Sequence, residues 1–227
     1  MDVDWAFPEA LQPSDSDVGF DLEAALNAMV LLEATVPEDA FTARGLGTER
    51  AGYGAVIDDD GLIVTIGYLI LEASQVQVRI AEDTAVAAEI LAYDHETGFG
   101  LLRASEPLDV TPMRLGTSAN LAQGDQLLVA GFGGPPVARA ALLVSRRDFA
   151  GYWEYLLEDA IFTSPPYPHF GGAALIDAGG ELVGIGSLAV ADAYDGEQPL
   201  PPFNAWLAAP PTDRIRRRCW RLGARSA

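Results

Sequence analysis

Tyr167-Pro168-His169-Phe170-Gly171-Gly172-Ala173-Ala174-Leu175 is the stretch that decides the fold of this chain. Its two adjacent glycines form a tight turn that leads into an apolar run. A second turn follows at residues 177–180, and a second apolar run ends at residue 185. Two apolar runs joined by a short turn with glycine and aspartate are typical of a β-hairpin. The sequence therefore predicts a hairpin directly after the Gly-Gly pair.

A second hairpin is predicted nearer the N-terminus. Residues 51–57 form an apolar run, residues 58–61 read Asp-Asp-Asp-Gly, and residues 62–65 form another apolar run. Three neighbouring aspartates also suggest a calcium loop, but the distal glutamate of such a loop is missing. A hairpin turn is the preferred interpretation, and no metal or cofactor is expected.

Short candidate strands recur along the rest of the chain, punctuated by glycine and proline. They cover residues 76–80, 85–91, 100–103, 126–132, 140–145 and 152–161. Many short strands with turn signals at regular spacing are typical of β-barrels and β-sandwiches. The sequence thus predicts an all-β protein.

Helices are expected only near the two ends. Residues 1–20 are acidic and lack periodicity, and we interpret them as an extension. Asp21 precedes apolar residues spaced three and four apart, which predicts a short helix within residues 21–36 or a helix that gives way to a strand at residues 30–36. Thr212 is a candidate cap for a final helix over residues 213–222.

The charge of the chain restricts its partners. It carries 33 acidic residues against 14 basic ones, all of them arginine, for a net charge of −19. Six of the arginines lie in residues 214–227, which hold no acid, so this tail is either solvated or docked on an acidic surface. A surface this acidic argues against nucleic acid and anionic membranes as partners.

The remaining composition favours a cytoplasmic protein. A single cysteine, Cys219, cannot form an intrachain disulfide. The first residues show neither the basic nor the apolar region of a secretory signal, and no stretch approaches the apolar length of a membrane span.

Several segments, in order, resemble the trypsin/chymotrypsin-like serine proteases, in their HtrA-like branch. Residues 167–175 and 180–185 are similar to the nucleophile loop G-N-S-G-G-P/A-L and the following G-E-L/V-I/V-G-I. Residues 52–65 are similar to G-S-G-V-I-I-D-x-x-G-Y-I-V-T, residues 94–102 to D-x-x-T/S-D-L/I-A-L/V-L, and residues 115–125 to L-G-D-S-x-x-L/V-x-x-G-D/E. The resemblance implies a trypsin-like double six-stranded β-barrel with short terminal helices.

The resemblance also implies a division of the chain. Residues 1–44 are expected to be an acidic N-terminal extension with a short helix, residues 45–120 the first barrel and residues 121–207 the second. Residues 208–227 are expected to be a basic C-terminal helix or tail. This tail is too short for the PDZ domain that many HtrA-like proteins append.

At the positions of the family's catalytic triad the resemblance places three unsuited residues. Tyr68 stands where the general base is expected, Gly98 where the orienting aspartate is expected, and Phe170 where the nucleophilic serine is expected. Pro168 falls on a residue whose backbone N–H would line the oxyanion hole, and proline has no N–H. We therefore predict that the protein does not hydrolyse peptides, and that Tyr68 and Phe170 pack together in the cleft.

Two alternatives remain open from the same residues. A rebuilt hydrolase could draw on Ser164, His169 and His95. The two histidines, with Asp94 or Glu96, could instead bind a metal, although such sparse matches are weak signals.

A binding function is the preferred alternative to catalysis. The resemblance offers a strand edge near Gly186, Ser187, Leu188 and Ala189 for an extended peptide, and Trp153 and Tyr155 are candidate neighbours on one strand face. We expect a peptide or protein partner. Assembly as a homo-oligomer or with an active paralogue stays open.

Overall fold

Six strands of the N-terminal half close into an antiparallel barrel. The computed structural model describes residues 5–81, 84–95, 97–150, 156–190 and 203–208. The strands run in the order β1-β2-β3-β6-β5-β4 around the barrel. Their bounds are β1 Met29–Thr35, β2 Glu49–Val56, β3 Leu62–Ile66, β4 Gln75–Ala81, β5 Thr84–Tyr93 and β6 Phe99–Ala104.

Six further strands close into a second antiparallel barrel, in the order β10-β11-β12-β9-β8-β7. Their bounds are β7 Gln126–Ala130, β8 Ala138–Ala150, β9 Leu156–Ser164, β10 Ala174–Ile176, β11 Leu182–Val190 and β12 Phe203–Ala208. The all-β prediction and the double six-stranded barrel are therefore confirmed. Helical segments are short: α1 Leu22–Asn27, α2 Ala43–Leu46, and 3-10 turns at Glu9–Leu11, Asp15–Asp17, Gly67–Leu69, Ser118–Asn120 and Pro135–Val137.

Both predicted hairpins form. Strands β2 and β3 pair antiparallel, with Ala55 opposite Val64, and residues 58–61 make the turn between them. Strands β10 and β11 pair antiparallel directly after the Gly-Gly pair, with Leu175 opposite Gly184. The apolar runs and turn residues that predicted these hairpins are therefore sufficient as local signals.

The N-terminal region resolves the choice that the sequence left open. The Asp21 carboxylate accepts the Ala24 backbone N–H at 2.9 Å and caps helix α1, which ends at Asn27. The chain then enters β1, in which residues 29–32 are all buried and which pairs with β2 on one side and β4 on the other. The first barrel thus begins at Met29 and not at residue 45, since this short apolar run is a strand rather than part of the extension.

Strand β12 is an element that the sequence did not predict. It pairs with both β11 and β9 and places Trp206 in the core, where the indole N–H donates to the Thr163 hydroxyl at 2.7 Å. The proposed final helix and the basic tail after residue 208 lie outside the described residues. Among the described residues, no helix is long and apolar enough to cross a membrane.

Candidate functional site in the cleft between the barrels

The Gly-Gly pair joins the second barrel to the first. The Gly171 carbonyl accepts the backbone N–H of Tyr53 in β2 at 2.9 Å. Gly172 has φ of +78°, and a Cβ there would overlap the Tyr53 carbonyl oxygen. Only glycine fits both the left-handed backbone and this close approach. The turn therefore fixes where residues 168–171 lie in the cleft.

Tyr68 reaches across this cleft from the opposite barrel. It lies in the 3-10 turn Gly67–Leu69 that follows β3, and its hydroxyl donates to the carbonyl of Ser187 in β11 at 3.2 Å. The same hydroxyl lies 2.9 Å from the place where a Cβ on Gly171 would stand. The structure thus brings Tyr68, Ser187 and the residue next to Phe170 together. The contact found is with Gly171, so packing of Tyr68 against the Phe170 ring stays a prediction.

Gly98 lies beside the base of the Tyr68 turn. Its carbonyl accepts the Gly67 backbone N–H at 2.7 Å, and its φ is +78°. The position that the resemblance assigned to the orienting aspartate therefore contacts the residue next to Tyr68, and it contributes backbone only. Tyr68 thus has Gly98 next to its neighbour Gly67 and has Gly171, the neighbour of Phe170, near its hydroxyl.

The Arg50 side chain holds the backbone of Tyr68 in place, a role that the sequence analysis missed. This guanidinium is 6% exposed and donates to the carbonyls of Tyr68 at 2.8 Å and Leu71 at 2.9 Å. It also donates to the Gly47 carbonyl and the Thr42 hydroxyl. Burial lowers the pKa of Arg50, and the nearby Glu72 carboxylate partly opposes this. Its sequence context, an arginine at the start of a strand, carries no signal of this role.

The residues considered for a rebuilt hydrolase site or a metal site lie in different surroundings. The His169 ring is half-buried against Trp5, 4.7 Å between centroids, while His95 is exposed and packs 4.3 Å from the Tyr93 ring. Ser164 lies at the end of β9, opposite Leu142 of β8, and Pro168 is exposed. Within the described ranges no three His, Cys, Asp or Glu side chains cluster to hold a metal ion, and Glu96 lies outside those ranges.

The candidate peptide edge of β11 begins at Ser187. Gly186 already donates its N–H to Ala173 at 2.8 Å and accepts the Gly172 N–H at 3.0 Å, so it belongs to the neighbouring turn. From Leu188 to Val190 the strand pairs with β12 on its other side. The Ser187 hydroxyl is buried and has no hydrogen-bond partner among the described residues. Trp153 and Tyr155 lie outside the described residues, so their place beside the edge stays a prediction.

An aromatic cluster holds the N-terminal extension against both barrels. It consists of Trp5 and Phe7 from the extension, Tyr53 from β2, and Tyr167 and His169 from the loop before the Gly-Gly pair. The Trp5 indole N–H donates to the Tyr53 hydroxyl at 3.3 Å, and the Tyr167 hydroxyl donates to the Val137 carbonyl at 2.6 Å. Burial raises the pKa of both tyrosines.

Comparison with known protein families identifies the family to which this domain belongs. The family model of the trypsin-like peptidase domain matches residues 52–185, which include parts of both barrels, Tyr68 and the Gly-Gly pair. The chain belongs to the trypsin-like peptidase domain family.

Its relatives are HtrA and Do-like serine proteases. The chain is 27% identical over 186 residues to Protease Do-like 1, chloroplastic, of Arabidopsis thaliana, which covers 78% of the chain and 42% of that relative. It is 27% identical over 169 residues to Serine protease HTRA1B of Danio rerio, covering 70% and 34%. Among solved structures, an HtrA-type protease AlgW with tripeptide matches with a TM-score of 0.63 and 20% identity, over 82% of this chain and 58% of that one.

These matches support the predicted resemblance to the HtrA branch, while the chain spans about two fifths or less of the length of those two curated relatives. Another relative is named as periplasmic, in Pseudomonas fulva, and the Arabidopsis protein as chloroplastic. The cytoplasmic interpretation therefore stays a prediction.

Proposed function

We propose that this trypsin-like domain does not hydrolyse peptides and acts instead by binding an extended peptide or protein segment in its cleft, as a scaffold or regulator. The observation that carries the proposal is the hydrogen bond from the Tyr68 hydroxyl to the Ser187 carbonyl. This bond supports the proposal because the family resemblance expects an imidazole base, not a phenol, at the position of Tyr68.

The chemistry of the three assigned positions supports the loss of catalysis. Phe170 offers no nucleophile, and Gly98 has no side chain with which to orient a base. A phenol ordinarily ionises near pH 10, far above the pH at which a general base works. Loss of a triad costs serine proteases on the order of 10⁶ in turnover, and the absent N–H of Pro168 weakens the remaining oxyanion contribution by roughly 10²–10³.

The edge of β11 supports the binding role. An extended peptide can add to a sheet edge through backbone hydrogen bonds, with side-chain pockets supplying selectivity. Beyond Ser187, Ala189 is exposed and Leu188 is half-buried, so backbone and an apolar surface are presented together. The similar HtrA-type protease AlgW was solved with a tripeptide, which is consistent with a peptide ligand for this fold.

The first test is labelling with a fluorophosphonate probe, which reacts only with an activated serine, run beside a mixed-peptide cleavage assay. We expect no label and no cleavage, with an active trypsin-like protease as the positive control. A labelled serine located by mass spectrometry would overturn the proposal. If that serine were Ser164, loss of label in Ser164→Ala and His169→Ala would establish a rebuilt hydrolase site.

The partner question has a separate test. A protein that serves only as a subunit of another assembly would be captured with an active paralogue or would form a defined oligomer by light scattering. A monomer that captures no paralogue and binds peptides from a random library supports the peptide-binding role that we propose.

A further inference from the structure

We infer that the cleft takes only the C-terminal end of a peptide and excludes a chain that runs through it. This inference rests on the proposed peptide binding at β11. It names the class of ligand: a protein tail or free peptide whose last residues lie beside Ala189 and whose chain stops at Tyr68. An internal segment of a folded or unfolded protein is outside this class.

The edge of β11 has a closed end. Before Ser187, the strand is already paired with β10 and with the Gly-Gly turn, through the Gly186 bonds to residues 172 and 173. The Phe170 carbonyl oxygen lies so close to Gly186 that a Cβ on that glycine would overlap it. An added strand therefore cannot pair with β11 at any residue before Ser187.

Tyr68 closes the same end at Ser187 itself. Its hydroxyl donates a hydrogen bond to the Ser187 carbonyl, which is the acceptor nearest the closed end on the cleft side. The residue is held at its other end by Arg50, which donates to the Tyr68 carbonyl at 2.8 Å. The hydroxyl also lies close to Gly171 of the turn. Tyr68, Gly171 and Ser187 thus close the cleft at this end, and we call these three residues the wall.

The direction of the peptide follows from the barrel. Every strand pair of the second barrel is antiparallel, including both neighbours of β11. A peptide that continues this pattern runs opposite to β11, so its C-terminal end points toward the start of that strand and toward Tyr68. The register of β11 against β12 shifts between Gly186 and Leu188, so Ser187 lies in a β-bulge and regular pairing resumes at Leu188. Ala189 is the exposed residue of this regular part and presents its backbone to the cleft. The last paired residue of the peptide is thus opposite Ala189.

The experiment measures binding of the full chain to two random octapeptide libraries. One library is immobilised through the peptide N-terminus and leaves the C-terminus free, and the other is immobilised through the C-terminus. We expect binding to the first library only. The best binder is then made in three soluble forms: with a free carboxylate, with a C-terminal amide, and extended by Gly-Ser-Gly-Ser. The acid and the amide should bind alike, and the extension should weaken binding by about tenfold or more, which corresponds to about 1.4 kcal/mol.

Two substitutions separate the ring from its hydroxyl. In Tyr68→Gly the wall is removed, so the extended peptide should regain affinity to within a few-fold of the unextended one. In Tyr68→Phe the ring stays while the Ser187 carbonyl is released, so extension should still be excluded and the unextended peptide should bind at least as tightly. Phe41→Ala, at a side chain that is 90% exposed, is the matched control and should change neither affinity.

The possible outcomes discriminate between the two proposals. Binding to neither library would overturn peptide binding itself, and end recognition with it. Equal binding to both libraries, or no loss on extension, would leave peptide binding standing and overturn end recognition. Binding only to the library with free N-termini would show that the peptide runs parallel to β11 and would also overturn it.

Discussion

Arg50 shows how one buried side chain can support a cleft that it does not line. Four oxygen atoms accept from its guanidinium: three backbone carbonyls, including that of Tyr68, and the Thr42 hydroxyl. These bonds are part-buried and have a charged donor, so each carbonyl that loses its donor keeps part of the cost of having left water. The planar fork of arginine matches several acceptors at once, whereas a lysine ammonium cannot.

We therefore expect Arg50→Ala to lower the free energy of unfolding by about 3 kcal/mol or more, and Arg50→Lys to recover only part of it. Urea unfolding followed by tryptophan fluorescence measures both. The control is Arg79→Ala, because Arg79 pairs with Glu33 at 2.9 Å on the surface, and such pairs contribute about 0–1 kcal/mol. Equal losses in Arg50→Ala and Arg79→Ala would contradict the anchoring role.

At the scale of elements, the Gly-Gly turn is the joint between the two barrels. A Cβ on Gly172 would overlap the Tyr53 carbonyl and lie 2.8 Å from the Thr65 hydroxyl oxygen, which itself donates to that carbonyl at 2.6 Å. Backbone cannot move aside as a flexible side chain can. Any larger residue must therefore displace the turn from β2.

Gly172→Ala should cost about 3 kcal/mol or more, or prevent folding. The matched control is Gly124→Ala, because Gly124 also has a positive φ, +95°, but nothing lies within 4 Å of its Cβ position. That variant carries only the backbone strain, about 1–2 kcal/mol. Melting temperatures and soluble yield of the two variants decide the matter, and equal effects would mean that strain, not the close approach, sets the cost.

The elements that sequence predicted are those defined by local chemistry. The two hairpins follow from apolar runs and their turns, and the Asp21 cap follows from one side chain and one N–H. Strand β12 could not be found in this way, because its register depends on β9 and β11, which are distant in sequence. The choice between helix and strand at residues 30–36 likewise needed β2 and β4 as partners.

At the scale of the whole molecule, the aromatic cluster joins the N-terminal extension to both barrels. Tyr53 and Tyr167 are each 2% exposed or less, and burial raises the pKa of both hydroxyls above the usual value near 10. Below pH 10 folded and unfolded chains both keep these protons, so stability is unaffected. Above it the unfolded chain releases them first, so stability falls as pH rises.

We expect the free energy of unfolding to decrease above pH 10 by up to about 1.4 kcal/mol per pH unit for each of the two tyrosines. Urea unfolding between pH 8 and 11.5, with tyrosinate absorbance at 295 nm, measures the slope. Tyr167→Phe should reduce the slope even though it also lowers stability at pH 8. An unchanged slope in that variant would show that folding does not raise the pKa of Tyr167.

The cleft could be predicted from sequence only in part. Ordered motifs indicated that positions 68, 98 and 170 would converge, and the structure places Tyr68 beside Gly171 and Gly98 beside Gly67. The bond from Tyr68 to Ser187 joins residues 119 apart, and Arg50 acts through backbone carbonyls that no side-chain pattern marks. Such contacts depend on how two closed barrels dock, which spacing along the chain does not encode.

The Gly172 contact with Tyr53 also bears on how the family is recognised in genomes. Selection for folding alone is enough to retain this glycine, because its replacement would disturb both barrels whatever residue stands at position 170. The Gly-Gly signature therefore marks shared ancestry and architecture, and its persistence is no record of selection for hydrolysis. Surveys that count proteases by this signature would also include chains without hydrolytic activity, as we propose for this one.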